Sequence, residues 1–99
     1  MAYSQLGGED ITVAGTAIGP TAVEVTDNVV YAEFNLRSGG SLHGQTFATP
    51  TAGGNLGDFL YGVGDSWQVW GHDEVLDYLM IRTGGVSAVV GVQYYGVGK

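Results

Sequence analysis

The run Val29–Arg37 sets Val30, Ala32, Phe34 and Leu36 on one side of the chain and Tyr31, Glu33, Asn35 and Arg37 on the other. A period of two residues belongs to the β-strand. The run therefore predicts a strand with one face in a core and the other turned away from it. It stops at Ser38-Gly39-Gly40-Ser41, a strong breaker. The same pattern extends along the chain. Asp10–Ile18 is rich in Ile, Val and Thr and ends at Gly19-Pro20, while Ala22–Thr26 places Val23 and Val25 on one face and Glu24 on the other. Asp27-Asn28 separates that run from the next by two residues, the spacing of a type I′ hairpin.

In the middle of the chain Leu42–Phe47 predicts a short strand and Ala48–Asn55 a loop. Leu56, Phe59 and Leu60 have helical spacing, which Gly57 limits to about a single turn. Gly64-Asp65 predicts a turn before a strand at Ser66–Trp70, and His72–Asp77 a single helical turn with Asp73 and Glu74 at its N-terminal end. Tyr78–Thr83, Gly84-Gly85 and Val86–Tyr95 then predict a second hairpin. The expected core is Val30, Phe34, Leu36, Leu79, Ile81, Val90 and Val92. About six to eight short strands with turns between them predict an all-β fold, a single small β-sandwich of jelly-roll-like kind. A small closed barrel satisfies the same pattern.

Size and composition fit this reading. The chain has 99 residues, enough for one domain, and its 18 glycines accompany 44% hydrophobic residues, too many for a disordered segment. The polar, glycine-bearing start divides it into an N-terminal arm, residues 1–10, and a sandwich domain, residues 11–99. Ala2–Glu9 is expected to stay outside the core and to form an arm that adds to a neighbour's sheet or threads across a neighbouring surface. There is no cysteine, so no disulfide and no thiolate metal site. The net charge of −7 disfavours gripping nucleic acid phosphates. No apolar stretch approaches the length of a membrane span, and Met1–Gly8 carries neither the basic nor the apolar run of a signal peptide.

No reaction centre emerges from the motifs. Gly39-Gly40-Ser41-Leu42-His43 approaches a nucleophile elbow but has histidine where the last glycine belongs and lacks the strand–turn–helix setting. His72, Asp73, Glu74 and Asp77 are the densest set of ligand-type side chains. Their plainer role is to cap a turn and face water, so no metal is expected. Gly62-x-Gly64 has no lysine after it and reads as a turn, not a phosphate loop. Neither catalysis nor a cofactor is expected. The aromatics are more informative. Trp67 and Trp70 are three apart and must point to opposite faces of one strand, as must Tyr94 and Tyr95, so each pair is expected to give one core and one outward ring. Outward rings on a sandwich serve as interface anchors or stack on sugars, and interface is the preferred reading.

Ala32-Glu33-Phe34-Asn35-Leu36-Arg37 precedes the turn at Gly39-Gly40. Thr49-Pro50-Thr51-Ala52-Gly53-Gly54 follows, then Gly64-Asp65 before the strand from Trp67 to Trp70. Met80-Ile81-Arg82-Thr83-Gly84 finally leads to Ala88 and Val92-Gln93-Tyr94-Tyr95-Gly96. In this order and spacing the chain from Tyr31 to Gly96 resembles small accessory virion proteins of tailed bacteriophages, of the capsid decoration, cement or head-fibre type. The resemblance implies a β-sandwich component of the particle and not an enzyme. The expected function is a capsid decoration or cement protein, made in the host cytoplasm, that binds the major capsid protein on the outer shell. It would act as a homo-oligomer, a trimer, without nucleic acid or membrane. A tail, neck or head-fibre component and a carbohydrate-binding module are the alternatives. Partner-binding residues are expected at Tyr3, Gln5 and Leu6 of the arm and at Trp67, Trp70, Tyr94 and Tyr95.

Overall fold

The alternating run forms the longest strand, and the rest of the chain is arranged around it. A computed structural model describes residues 3–21, 25–46, 49–50 and 59–97. Its elements are β1 (Ser4–Val13), β2 (Val29–Gly39), β3 (Leu42–Thr46), β4 (Phe59–Tyr61), β5 (Ser66–Trp70), α1 (His72–Leu76), β6 (Tyr78–Arg82) and β7 (Ala88–Gly96). They make two antiparallel sheets, one ordered β1-β7-β2-β5 and the other β4-β3-β6. Ile18 adds a single bridge to β6 by exchanging two hydrogen bonds with Met80, at 2.9 and 2.7 Å.

The pairs are nested. β1 pairs with β7, Ile18 with β6, β2 with β5 and β3 with β4. This is one long antiparallel hairpin, its tip between β3 and β4, folded over so that its stem lies in two sheets. The pairings β2·β7 and β3·β6 complete each sheet. It is the order of a jelly roll in which the second of eight strands is reduced to the bridge at Ile18.

On β2 the alternation is realised: Ala32, Phe34 and Leu36 are fully buried, as are Val90 on β7 and Leu42 on β3. Val30 is only half-buried and Val29 takes its place, because the register against β7 shifts between Val29 and Tyr31 and turns Val29 inward. On β6 the expected face is reversed. Tyr78 and Met80 are buried, whereas Leu79 and Ile81 are half-buried on the outside. Gly44 on the neighbouring β3 decides this. A Cβ there would lie 2.0 Å from the Tyr78 hydroxyl, so only glycine lets that ring cross the inner face. The hydroxyl then accepts a buried hydrogen bond of 3.0 Å from the Trp67 indole N–H on β5.

Three further expectations are corrected. First, the segment expected as a free arm, residues 1–10, is from Ser4 onward the first half of β1, paired with β7 from Ser4↔Gly96 to Val13↔Ala88. An edge strand needs only one apolar side. Leu6 packs on the core, and Glu9 accepts hydrogen bonds from the Thr21 backbone and hydroxyl and from the Tyr94 hydroxyl, so a polar segment joins the sheet. Second, β6 and β7 are not a hairpin. Both edges of β7 are already occupied, by β1 and β2, so Thr83–Ser87 carries the chain from one sheet to the other. Among the described residues the glycines with positive φ are Gly39, Gly64 and Gly71, so Gly84-Gly85 does not supply the backbone of a type I′ turn. Third, Phe59 and Leu60 lie on strand β4 and not on a helical turn.

Asp27-Asn28 does form a turn, closed by a 3.0 Å hydrogen bond from the Val29 N–H to the Thr26 carbonyl. The strand expected before it falls largely at residues 22–24, outside the described residues. Residues 51–56, most of the expected loop and the first apolar position after it, lie outside them as well. The turn at Gly64-Asp65, the strand Ser66–Trp70 and the short helix at His72 occur as expected.

Two measurements follow. Phe34→Ala should lower the unfolding free energy by about 3–5 kcal/mol in denaturant titration. The second concerns alkali. Burial first, and the neighbouring Tyr61 phenol second, raise the Tyr78 phenol well above its ordinary value of 10.0. The folded protein then keeps a proton that the unfolded chain releases. This contribution is complete below a pH of about 10 and is lost as pH rises through the folded value. Stability should therefore fall above pH about 10, and Tyr78→Phe should make that fall shallower. At neutral pH the same variant costs about 1–3 kcal/mol by orphaning the Trp67 N–H.

Candidate functional site

The outer face of the larger sheet carries two kinds of chemistry side by side. Tyr95 on β7, Tyr31 on β2 and Trp70 on β5 are direct cross-strand neighbours. Their rings form a ladder: Tyr31 and Tyr95 are 4.9 Å apart at 8°, and Tyr31 and Trp70 are 4.1 Å apart at 15°. Parallel rings at these distances cannot lie side by side, so they stand on the sheet and stack face to face. Tyr3 closes the ladder edge-on, 5.8 Å from Tyr31 and 6.0 Å from Trp70. Desolvation among these rings raises the Tyr31 phenol, and Tyr95, Glu33 and Tyr3 add to the shift.

One row away the face becomes polar. Gln93, Glu33 and Gln68 are cross-strand neighbours, and the row beyond them carries Asp10, Gly91, Asn35 and Ser66. All of these except Gln68, which borders a cleft between the sheets, line a trough of about 670 Å³. The aliphatic stem of Arg37 lies over Gly91 and its guanidinium reaches the Asp10 carboxylate at 2.8 Å, an exposed pair that contributes little to stability. Asn35 donates to the Asp65 carbonyl at 3.2 Å and to the Ser66 hydroxyl at 3.0 Å.

The end of the sandwich at β4 and β5 is apolar. Phe59 and Leu60 are each 65% exposed, Val63 is 58% and Trp70 is 51%. Between the sheets at this end lies a cleft of about 370 Å³, bordered by Phe59, Tyr61, Trp67, Trp70, Tyr78 and Gln45. Its inner wall is a stack in which Tyr61 lies 3.7 Å from Trp67, and Trp67 lies 5.7 Å from Phe34. Burial raises the Tyr61 phenol, against a hydrogen bond with Tyr78 that lowers it.

The expected partner-binding residues separate into two groups. Trp70, Tyr95 and Tyr3 come together in the ladder, and Gln5 lies at the near edge of the trough. Trp67 and Tyr94 are core residues: Tyr94 is enclosed between the sheets, and Trp67 shows only a 9% exposed margin on the inner wall of the cleft. Leu6 is half-buried against the same core. In each aromatic pair one ring is inside and one outside, as strand geometry demands. Sequence reasoning missed Tyr31, which unites the ladder, although its place on the outward face of β2 was readable from the alternation. It also missed Phe59 and Leu60, whose helical spacing concealed an edge strand.

At α1, His72 Nδ1 lies 3.2 Å from an Asp73 carboxylate oxygen. Among the described residues there is no group of three or more His, Cys, Asp or Glu side chains arranged to hold a metal ion. Comparison with protein-family models, with curated proteins and with solved structures finds no match for the chain.

The two tryptophans should separate in solution. Acrylamide should quench the emission of Trp70 and leave that of Trp67 largely protected, and Trp70→Phe should remove the quenchable fraction. Equal quenching of both would contradict the enclosed position of Trp67.

Proposed function

We propose that this chain is a structural protein of a virus particle, a capsid decoration protein that binds the major capsid protein on the outer shell as a homotrimer. The observation that carries the reading is the apolar end of the sandwich. Phe59, Leu60, Val63 and Trp70 stand exposed along β4 and β5, the end strands of the two sheets. Exposed apolar side chains on sheet edges are a liability in a solitary domain and an asset in an assembled one. A closed ring of subunits covers such an end symmetrically.

The sequence resemblance over Tyr31–Gly96 supports the same reading, as does a jelly-roll order, which recurs in capsid domains; that last support is an analogy of fold. Attachment by a free arm finds no support, since Ser4–Glu9 is consumed in β1. Contact with the shell therefore falls to the β4–β5 end and its adjoining loops. A tail, neck or head-fibre position would use the same surface.

Sedimentation at low and high salt tests the assembly. Subunits of charge −7 repel one another, so added salt should tighten the oligomer. Leu60→Asp should release monomers that keep the far-UV spectrum of the parent. A monomer at both salt concentrations removes the trimer. Electron microscopy of particles incubated with the labelled protein tests the shell, and bare particles at saturating protein would end the decoration reading.

A further inference from the structure

We propose that the trough on the outer face of the four-stranded sheet is a binding site for a neutral saccharide. The inference stands apart from the virion reading, because it uses a face of the sheet and not the apolar end.

The site is built by the order of the cross-strand rows. Glu33 sits in the middle of the sheet between Gln93 on β7 and Gln68 on β5. The aromatic row orients both glutamines. The Trp70 indole N–H donates to Gln68 Oε1 at 3.1 Å, and the Tyr95 hydroxyl donates to Gln93 Oε1 at 2.8 Å. An indole N–H can only donate, so the Gln68 amide must turn its oxygen to the ladder and keep its NH₂ for another partner. Among the described residues the Glu33 carboxylate makes no hydrogen bond. Glu33 is thus an acceptor beside the Gln93 amide in the trough, with the Gln68 amide on its other side, and the hydrogen bonds these amides already make leave less ordering for ligand binding.

The neighbouring row adds donors. Gly91 leaves space for the Arg37 stem to cross β7, and one guanidinium nitrogen meets Asp10, which leaves the guanidinium further N–H groups to donate. Carboxylate, amide and guanidinium together match vicinal hydroxyls, each of which donates once and accepts as well. Anionic ligands are disfavoured, since Asp10 and Glu33 outnumber Arg37 in a chain of charge −7. A cationic peptide would use the carboxylates but leave the amides and Arg37 unmatched. The side chains lining the trough are not aromatic, so recognition rests on hydrogen bonds and not on a flat stacking platform.

The test is titration of the full chain with cellohexaose, maltohexaose, xylohexaose and chitohexaose, followed by NMR of the side-chain NH₂ signals of Asn35 and Gln93. At least one sugar should shift these signals, with an affinity indifferent to salt. Glu33→Ala and Gln93→Ala should each weaken that binding by about tenfold. Leu60→Asp, at the far end of the smaller sheet, should leave it unchanged. The proposal is overturned if no sugar shifts these two amides, or if the shifts map to Phe59–Val63 instead. Undiminished affinity in both trough variants, or binding only of an oligolysine peptide that salt abolishes, would overturn it equally.

Discussion

The hydrogen bond from the Trp67 indole to the Tyr78 hydroxyl joins the two sheets, and much of the architecture follows from it. Two large polar-tipped rings enter the same interior from opposite sides, and each satisfies the other's only buried polar group. To make the contact, β6 must present Tyr78 and Met80 inward, β3 must have glycine at Gly44, and β5 must turn Trp67 in and therefore Trp70 out. Phe34 packs on both rings, at 5.7 Å from Trp67 and 4.9 Å from Tyr78. The outward chemistry of the protein is thus set partly from inside. Once Trp67 is committed to the core, strand geometry delivers Trp70 to the ladder.

The same parity explains why the outer face is ordered in rows. On β2 the inward set Ala32, Phe34 and Leu36 fixes Tyr31, Glu33, Asn35 and Arg37 on the other side, and pairing with β5 and β7 extends each into a cross-strand row. An aromatic row and an amide–carboxylate row lie next to each other, and the first holds the second in place through Trp70 and Tyr95. A one-residue slip of β5 would put Trp67 outside and break both rows at once.

This parity was also the part of the fold most legible in the sequence. The alternation of β2 gives its face, and the spacing of Trp67 to Trp70 and of Tyr94 to Tyr95 gives one ring inside and one outside. Where both parities are apolar the signal fails, as in Tyr78-Leu79-Met80-Ile81, and only the contact with Trp67 chooses between them. Pairing over long distance is silent too. Nothing local in Ser4–Glu9 reveals that its partner is Val92–Gly96, because the attraction is between backbones. Gly84-Gly85 misled for a related reason: a local turn signal yielded to a β7 whose two edges were already taken. The trough was unreadable in principle, since it gathers β1, β7, β2 and β5 from across the chain.

The correction at β1 changes the argument about assembly as well as the fold. A sandwich has two open ends, and this one treats them differently. At the β1 end the edge strand carries a register shift between Gln5 and Gly7, two adjacent glycines and the charged Asp10, all features that discourage a further strand from adding. At the other end β4 is short but exposes Phe59 and Leu60, with Trp70 beside them on β5, and no charged side chain stands among these three. An end protected by charge and irregularity faces water, and an end edged by aromatics requires cover. If the apolar end is the contact surface we propose, the asymmetry leaves the face of the larger sheet open while that end is occupied.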